Sequence, residues 1–438
     1  MKRIVLIGFC LLVVAAAAWA QVKPLTLNDA LSTALVKNFG YRIAEGNWDI
    51  AKAEKTGAAG ALLPFVSVGL SYGWTKRGPS SSFTQGLIVV PGSNQTTTTA
   101  NYSLGLDVRQ NLFDGGAAFS GYKAAAASEA ASRENFRGAR QKLIFDVRSS
   151  YFSALKAKRL LEVQEDVVKR GEEQLKIAQA RYDLGSASLS DVLKARVSFA
   201  NDQLTLISAE NSYQVSLANL NSIIGENVND SIELADTLVP PAELNLGFEE
   251  AMSKAEKNHP DLLAAQENMK AADWGVQAGR AGLYPSLSLN AGYGWNNRDF
   301  SRVTSLFDRD YQWRFGFSID YNIFDRFSAY QSIKSSQARH SNARETYLQS
   351  KSRVALEVKQ AFLDLAQAKQ KLEVTNQQSE SAEEDLNIVQ EKYNLGAATI
   401  LELLDAQVSY KQAKSDQVQA LFDYNLAAAR LKKSIGEE

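Results

Sequence analysis

The sequence predicts a mostly helical protein built from two copies of one unit, each with a helix, two long strands, a very long helix and a returning helix. Three observations predict it. The eight prolines leave the stretch between Pro91 and Pro240, and everything after Pro285, without a single one. Those stretches are rich in Ala, Leu, Gln, Glu, Lys and Arg, the good helix formers. The chain also repeats itself, and four segments alternate large apolar with small or polar residues in a period of two.

From the N-terminus, Lys2 and Arg3 precede an apolar run over 4–18, and Ala18-Trp19-Ala20 offers small residues at a cleavage site. This is the pattern of a signal peptide over 1–20, with a mature chain from Gln21. The run is too short to cross a bilayer comfortably, so a retained anchor is the weaker alternative. The single cysteine, Cys10, falls inside it, so the mature chain has no disulfide or thiol chemistry. No later run is apolar and long enough for a transmembrane helix.

The first repeat is expected over 21–225, with strands near 65–75 and 102–111, a long helix near 116–183 and a helix near 188–225. The second is expected over 248–438, with strands near 286–295 and 312–321 and helices near 327–394 and 399–436. Shifted onto each other, the copies pair Tyr182 with Tyr393, Gly185 with Gly396, Ala195 with Ala406, Tyr213 with Tyr424 and Ile224 with Ile435. The same shift pairs Asn111-Leu112-Phe113-Asp114 with Asn322-Ile323-Phe324-Asp325. The joint is 226–247, where Pro240-Pro241 marks a linker. A helix of about 65 residues reaches roughly 100 Å, which implies coiled-coil packing against similar partners.

In the first strand Val66, Val68, Leu70, Tyr72 and Trp74 alternate with Ser67, Gly69, Ser71 and Gly73. Tyr102, Leu104, Leu106 and Val108 continue the pattern, as do Leu287 to Trp295 and Trp313 to Tyr321 in the second copy. Strands of 9–11 residues suit a tilted bilayer crossing, with aromatics at the ends. A soluble sheet with one buried face also alternates, but its open face would carry more Thr, Lys and Glu than this glycine-rich one. The loops 76–100 and 296–310 are long and polar. Four strands cannot close a barrel, and open edges in hydrocarbon are costly, so copies of the chain must share one. Pairing physics alone permits two copies as well as three.

Arg181-Tyr182-Asp183-Leu184-Gly185 leading to Ser190-Asp191-Val192-Leu193, with Lys392-Tyr393-Asn394-Leu395-Gly396 leading to Glu402-Leu403-Leu404-Asp405-Ala406, resembles the TolC-like outer membrane efflux proteins. Asn258-His259-Pro260-Asp261-Leu262 and Leu283-Tyr284-Pro285 add to the resemblance, which covers nearly the whole mature chain. It implies a homotrimer: a twelve-stranded barrel in outer-membrane lipid on a long periplasmic helical barrel. It also implies docking to a periplasmic adaptor and service to an inner-membrane pump or ABC exporter. The two Tyr-x-x-Gly turns would be periplasmic tips, with Tyr182, Leu184, Gly185, Leu395 and Gly396 meeting the adaptor. Gly185 and Gly396 suit helix ends, and Ser188, Ser190 and Thr399 could cap the restarts.

Carried over position by position, the resemblance puts a periplasmic gate at Asp191, Tyr393, Glu402 and Asp405. Repeated around an axis, the acids would favour cations and resist simultaneous ionisation. Acids at a helix start are also favourable in their own right. Ala398 stands where the family can carry an arginine that ties the closed gate, so that tie is absent or replaced. The function implied is an outer-membrane export channel; the alternative is a periplasmic coiled-coil adaptor or structural protein without a pore.

Other chemistry finds no residues to carry it. A net charge of −1 excludes the basic excess of a nucleic-acid binder. His259 and His340 are far apart, with no zinc-binding motif, and there is no phosphate-binding loop. No catalytic residue, metal or cofactor is expected.

Overall fold

The computed structural model describes residues 24–85, 88–90, 92, 94–241 and 246–437. The expected leader over 1–20 lies outside the described residues, as does 242–245 of the joint. In chain order the elements are β1 (Pro24–Leu25), α1 (Leu27–Lys37), α2 (Phe39–Gly60), β2 (Phe65–Arg77), β3 (Phe83–Gln85), β4 (Ile88–Val90) and β5 (Thr97–Asp114). Then come α3 (Ala117–Asp183), α4 (Leu189–Ile224), β6 (Glu233–Leu234), α5 (Phe248–Asn258) and α6 (Pro260–Arg280). The chain ends with β7 (Ser286–Asn297), β8 (Tyr311–Asp320), α7 (Ser328–Asn394) and α8 (Ile400–Ser434). Two compact units result: Met1–Ala44, Arg137–His259 and Arg353–Glu438 in the first, Glu45–Phe136 and Pro260–Ser352 in the second. Each unit draws on both sequence repeats.

The second unit holds an antiparallel sheet in the order β2-β5-β7-β8. The two strand pairs of the two repeats thus lie side by side through β5 and β7. Among the described residues β2 and β8 are unpaired edges. Val66, Val68, Leu70, Tyr72 and Trp74 on β2, with Trp313, Phe315, Phe317 and Ile319 on β8, are 58–73% exposed. An apolar face of that extent calls for hydrocarbon or protein cover. Near the end of β7 the following loop covers it: Phe307 stacks on Tyr293 at 5.6 Å, and the Tyr293 hydroxyl donates to the Leu306 carbonyl.

Each passage from a sheet strand into a long helix carries a repeated aspartate just ahead of the helix. Asp114 Oδ2 accepts from Ala118 N at 2.8 Å, and Asp325 Oδ2 accepts from Ala329 N at 2.6 Å. The intervening pair is left-handed in both copies, Gly115-Gly116 in one and Arg326-Phe327 in the other. The second copy therefore carries strain on side-chain-bearing residues at about 1–2 kcal/mol each. Beside α3, the Trp48 indole donates to Glu129 Oε1 at 2.9 Å and Lys55 Nζ reaches Oε2 at 3.1 Å. The Trp48 hydrogen bond, ahead of the lysine, holds the Glu129 carboxyl below the usual carboxylate range.

In the first unit α1, α3, α4 and the joint share a core of Ala30, Ala34, Leu143, Val147, Tyr151, Leu155, Leu220, Ile224 and Leu234. The joint is pinned there by structure. β6 pairs parallel with β1, and Asp236 Oδ2 accepts from Tyr151 Oη at 2.7 Å and Leu27 N at 2.8 Å. The Tyr151 phenol is pushed up, by burial first and then by its bond to Asp236. Along α8, Leu403, Ala406, Tyr410, Ala413, Ala420, Tyr424, Ala427 and Leu431 are buried. Their steps of three and four residues, with one of seven between Ala413 and Ala420, are a heptad seam, the period of left-handed supercoiling. On α7, Val354, Val358, Ala361, Ala368, Leu372, Thr375, Ser379, Leu386 and Tyr393 are buried on a matching period.

Candidate functional site

The two helix-to-helix turns have one geometry. After α3, Gly185 N donates to Tyr182 O at 2.9 Å and Ser186 N to Arg181 O at 2.8 Å. After α7, Gly396 N donates to Tyr393 O at 3.0 Å and Ala397 N to Lys392 O at 2.8 Å. Both are Schellman endings, which need a left-handed residue; Gly185 has φ +74° and Gly396 φ +78°. This closure turns the leucine before each glycine outward, leaving Leu184 83% and Leu395 84% exposed. Tyr182 is also exposed.

The helices restart on capping boxes. Ser188 Oγ accepts from Asp191 N at 3.2 Å while Asp191 Oδ2 accepts from Ser188 N at 3.2 Å. Thr399 Oγ1 accepts from Glu402 N at 3.3 Å while Glu402 Oε2 accepts from Thr399 N at 2.7 Å. Asp191 and Glu402 therefore have a definite structural task, and each also answers the positive end of its helix. Of the candidate caps, Ser188 and Thr399 serve, whereas Ser190 lies within the first turn of α4. Asp405 is exposed a turn further along α8.

Tyr393 is unlike its sequence counterpart. It is 4% exposed and belongs to a cluster with Leu386, Ile400, Leu403, Ala406 and Tyr410, against which Ile177 and Ala398 pack. Arg181, in the last turn of α3, lies with its guanidinium carbon 4.4 Å from the centroid of the Tyr393 ring. Its Nη2 donates to the carbonyls of Tyr393 at 2.5 Å and Asn394 at 2.8 Å, at the C-terminus of α7. The cation thus meets an aromatic face and the negative end of a helix together.

Of the residues the sequence marks, the structure brings Tyr393 into contact with the other hairpin. It leaves Asp191 and Glu402 bonded to their own caps. Arg181 was not among the marked residues. It sat in the quoted Arg-Tyr-Asp-Leu-Gly motif, but nothing in that motif says its partner is 212 positions away. Among the described residues no group of three or more His, Cys, Asp or Glu could hold a metal.

Long paired helices, a four-stranded sheet with an exposed apolar face, and two matched Schellman turns define a class of protein in which a helical tunnel continues a membrane barrel. The family model described as outer membrane efflux protein matches residues 30–226 and 251–437, one match to each repeat, and the chain belongs to that family. The outer membrane efflux protein BepC of Brucella suis is 24% identical over 426 residues, covering 94% of this chain and 86% of its own. TolC of Escherichia coli is 23% identical over 430 residues, covering 94% and 82%. In fold, the Campylobacter jejuni CmeC outer membrane channel aligns with TM-score 0.83 at 17% identity over 94% of this chain and 85% of its own. The outer-membrane channel OprN gives 0.81 at 21%, over 94% and 90%. The protein is an outer-membrane export channel, and the adaptor alternative falls away.

Proposed function

We propose that three copies of the chain close their sheets edge to edge, β8 of one against β2 of the next, into a twelve-stranded barrel in outer-membrane lipid. The supporting observation is the pair of free strand edges flanking an apolar face. Open edges in hydrocarbon cost several kcal/mol for each unpaired group, so the barrel is stable only when closed. The helices continue the conduit into the periplasm. On this reading the chain is a passage and not a catalyst, and any driving energy comes from an inner-membrane pump or exporter.

The gate belongs to the turns, and the observation that carries it is the clasp of Arg181 on Tyr393. It joins the end of α3 to the end of α7 and takes the part of the arginine missing at Ala398. Asp191, Glu402 and Asp405 surround the opening and give it a cation preference. Tyr182, Leu184, Gly185, Leu395 and Gly396 offer the exposed tips to a periplasmic adaptor, and its seating loosens the clasp. Single-channel recording of the purified oligomer in a planar bilayer tests the gate. The Asp191/Glu402/Asp405 alanine variant is expected to conduct more than the wild type, and equal conductance would remove these acids from the gate.

A further inference from the structure

The polar face of the sheet carries charges at mid-height that the gate does not use. The register sets Asp107 of β5 opposite Gly292 of β7, and Gly292 opposite Arg314 of β8. The three positions make one row across three strands. Gly292 keeps the row open: a Cβ there would come 3.0 Å from Asp107 Oδ1 and 3.8 Å from Arg314 Nε. Over that gap Arg314 Nη2 approaches Asp107 Oδ1 at 3.8 Å. Two residues along β5 on the same face, Arg109 stands opposite Asn290 and its Nε donates to Asn290 Oδ1 at 3.3 Å.

The charges in this row do not cancel. Asp107 compensates one guanidinium, and the amide of Asn290 compensates none. Arg314 and Asp107 have side chains 61% and 64% exposed, and Arg109 is exposed, so all face the space beside the sheet. The remaining charges of this face, Arg77, Asp114 and Asp320, stand at strand ends. Asp114 is five residues from Arg109 along β5, and Asp320 is six residues from Arg314 along β8. At about 3.3 Å per residue those separations are roughly 16–20 Å, beyond a Debye length of about 8 Å in physiological salt.

We propose that Arg109, Asp107 and Arg314, arranged over the Gly292 gap, form a net-positive selectivity belt in the barrel lumen that favours anionic solutes. The proposal rests on the three-chain barrel above, in which the polar face lines the lumen. Three chains would set six guanidiniums against three carboxylates around the opening. Rings of fixed charge select permeant ions of the opposite sign, and here the belt acts in series with acids at the tip. Opening the tip then changes the ion preference of the channel as well as its conductance, because control passes from the acids to the belt.

The test is the reversal potential of the purified oligomer in a bilayer of neutral lipid under a potassium chloride gradient. It is recorded in the wild-type background and in a tip-neutral D191N/E402Q/D405N background. In the tip-neutral channel, R109Q/R314Q is expected to lower the chloride-to-potassium permeability ratio about twofold or more, and D107N to raise it. R109K/R314K, which keeps the charge, is expected to hold the ratio. Variants that conduct with an unchanged ratio, or charge changes of opposite sign that shift it the same way, overturn the belt. Unchanged conductance on neutralising the tip overturns the gate alone, since the ratio still reports on the belt. Absence of current from every variant overturns the lumen and the belt together.

Discussion

Arg181 places its guanidinium 4.4 Å from the ring centroid of Tyr393 and donates to the main-chain carbonyl of that same residue at 2.5 Å. The contact fastens the last turn of α3 to the last turn of α7, and so links the two repeats where each hairpin reverses. A flat, forked cation is required, because one group must stack on a ring and reach two carbonyls at once.

Removing the clasp should therefore open the channel without unfolding it. Arg181→Ala is expected to raise single-channel conductance or open probability, with thermal unfolding close to wild type. Arg181→Lys should behave more like alanine than like arginine, since ammonium keeps the charge but not the plane. A double-mutant cycle with Tyr393→Leu, scored on closed-state occupancy, should return a coupling of about 1–2 kcal/mol. A coupling near zero would show that the two residues touch without sharing a task.

Asp191 and Glu402 combine a charge with a cap, and the two contributions separate by substitution. Asn and Gln can still accept from the cap main chain, so D191N/E402Q/D405N removes charge while sparing the helix starts. That variant is expected to lose cation preference with only a small loss of thermal stability, from the weakened interaction with the helix ends. Ser188→Ala and Thr399→Ala remove the hydroxyl half of each box, at about 1 kcal/mol apiece, and should lower stability at unchanged preference. If the cap variants move ion preference as far as the charge variants do, shape rather than charge controls the tip.

The strands and turns were legible because their causes are local. Alternation from Val66 to Trp74 is a property of neighbouring residues, and a glycine at 185 or 396 is required by its own φ. The long helices were legible for the same reason, through absent prolines. The Arg181 clasp was not, since residues far apart in sequence meet only once two hairpins are packed. Nor was β1, whose two residues pair with β6 across the chain and carry no pattern of their own. The seam of Ala406, Ala413, Ala420 and Ala427 did leave a seven-residue signal. Small residues among other alanines hide it from a simple apolar pattern. Arg326-Phe327 is the reverse case: nothing in those side chains predicts a left-handed turn, and the paired Gly115-Gly116 was the available clue.

Glu129 should contribute to acid stability with a definite sign. Its carboxyl titrates below the ordinary value of 4.5, chiefly through the Trp48 hydrogen bond. A carboxylate depressed in the folded state stabilises the fold above its unfolded value, and that contribution is lost as pH falls through the folded value. Wild-type stability should thus decline as pH drops below about 4.5, and Trp48→Phe should flatten that part of the profile while leaving the slope above pH 6 alone. Chemical denaturation of the detergent-solubilised protein at stepped pH measures it. Parallel wild-type and Trp48→Phe profiles would assign the acid loss to other carboxylates.

Four glycines close the α3, α4, α7 and α8 helix ends with positive φ, yet they should tolerate alanine unequally. A Cβ on Gly225 would come 2.7 Å from the Lys37 carbonyl oxygen, and one on Gly436 2.6 Å from that of Asn258. At both places the end of the returning helix sits against the end of a short helix, α1 or α5, with main chain as the obstacle. Gly185 and Gly396 have nothing within 4 Å of such a Cβ. Alanine at the tip glycines should thus carry only the left-handed penalty of about 1–2 kcal/mol. Alanine at Gly225 or Gly436 adds a main-chain clash on the order of 1–3 kcal/mol, so their melting temperatures should fall further. Equal losses at all four positions would mean that the close docking of α1 and α5 on these ends yields freely. In that case the matched approach of the two repeats would be a consequence of the turns and not a constraint on them.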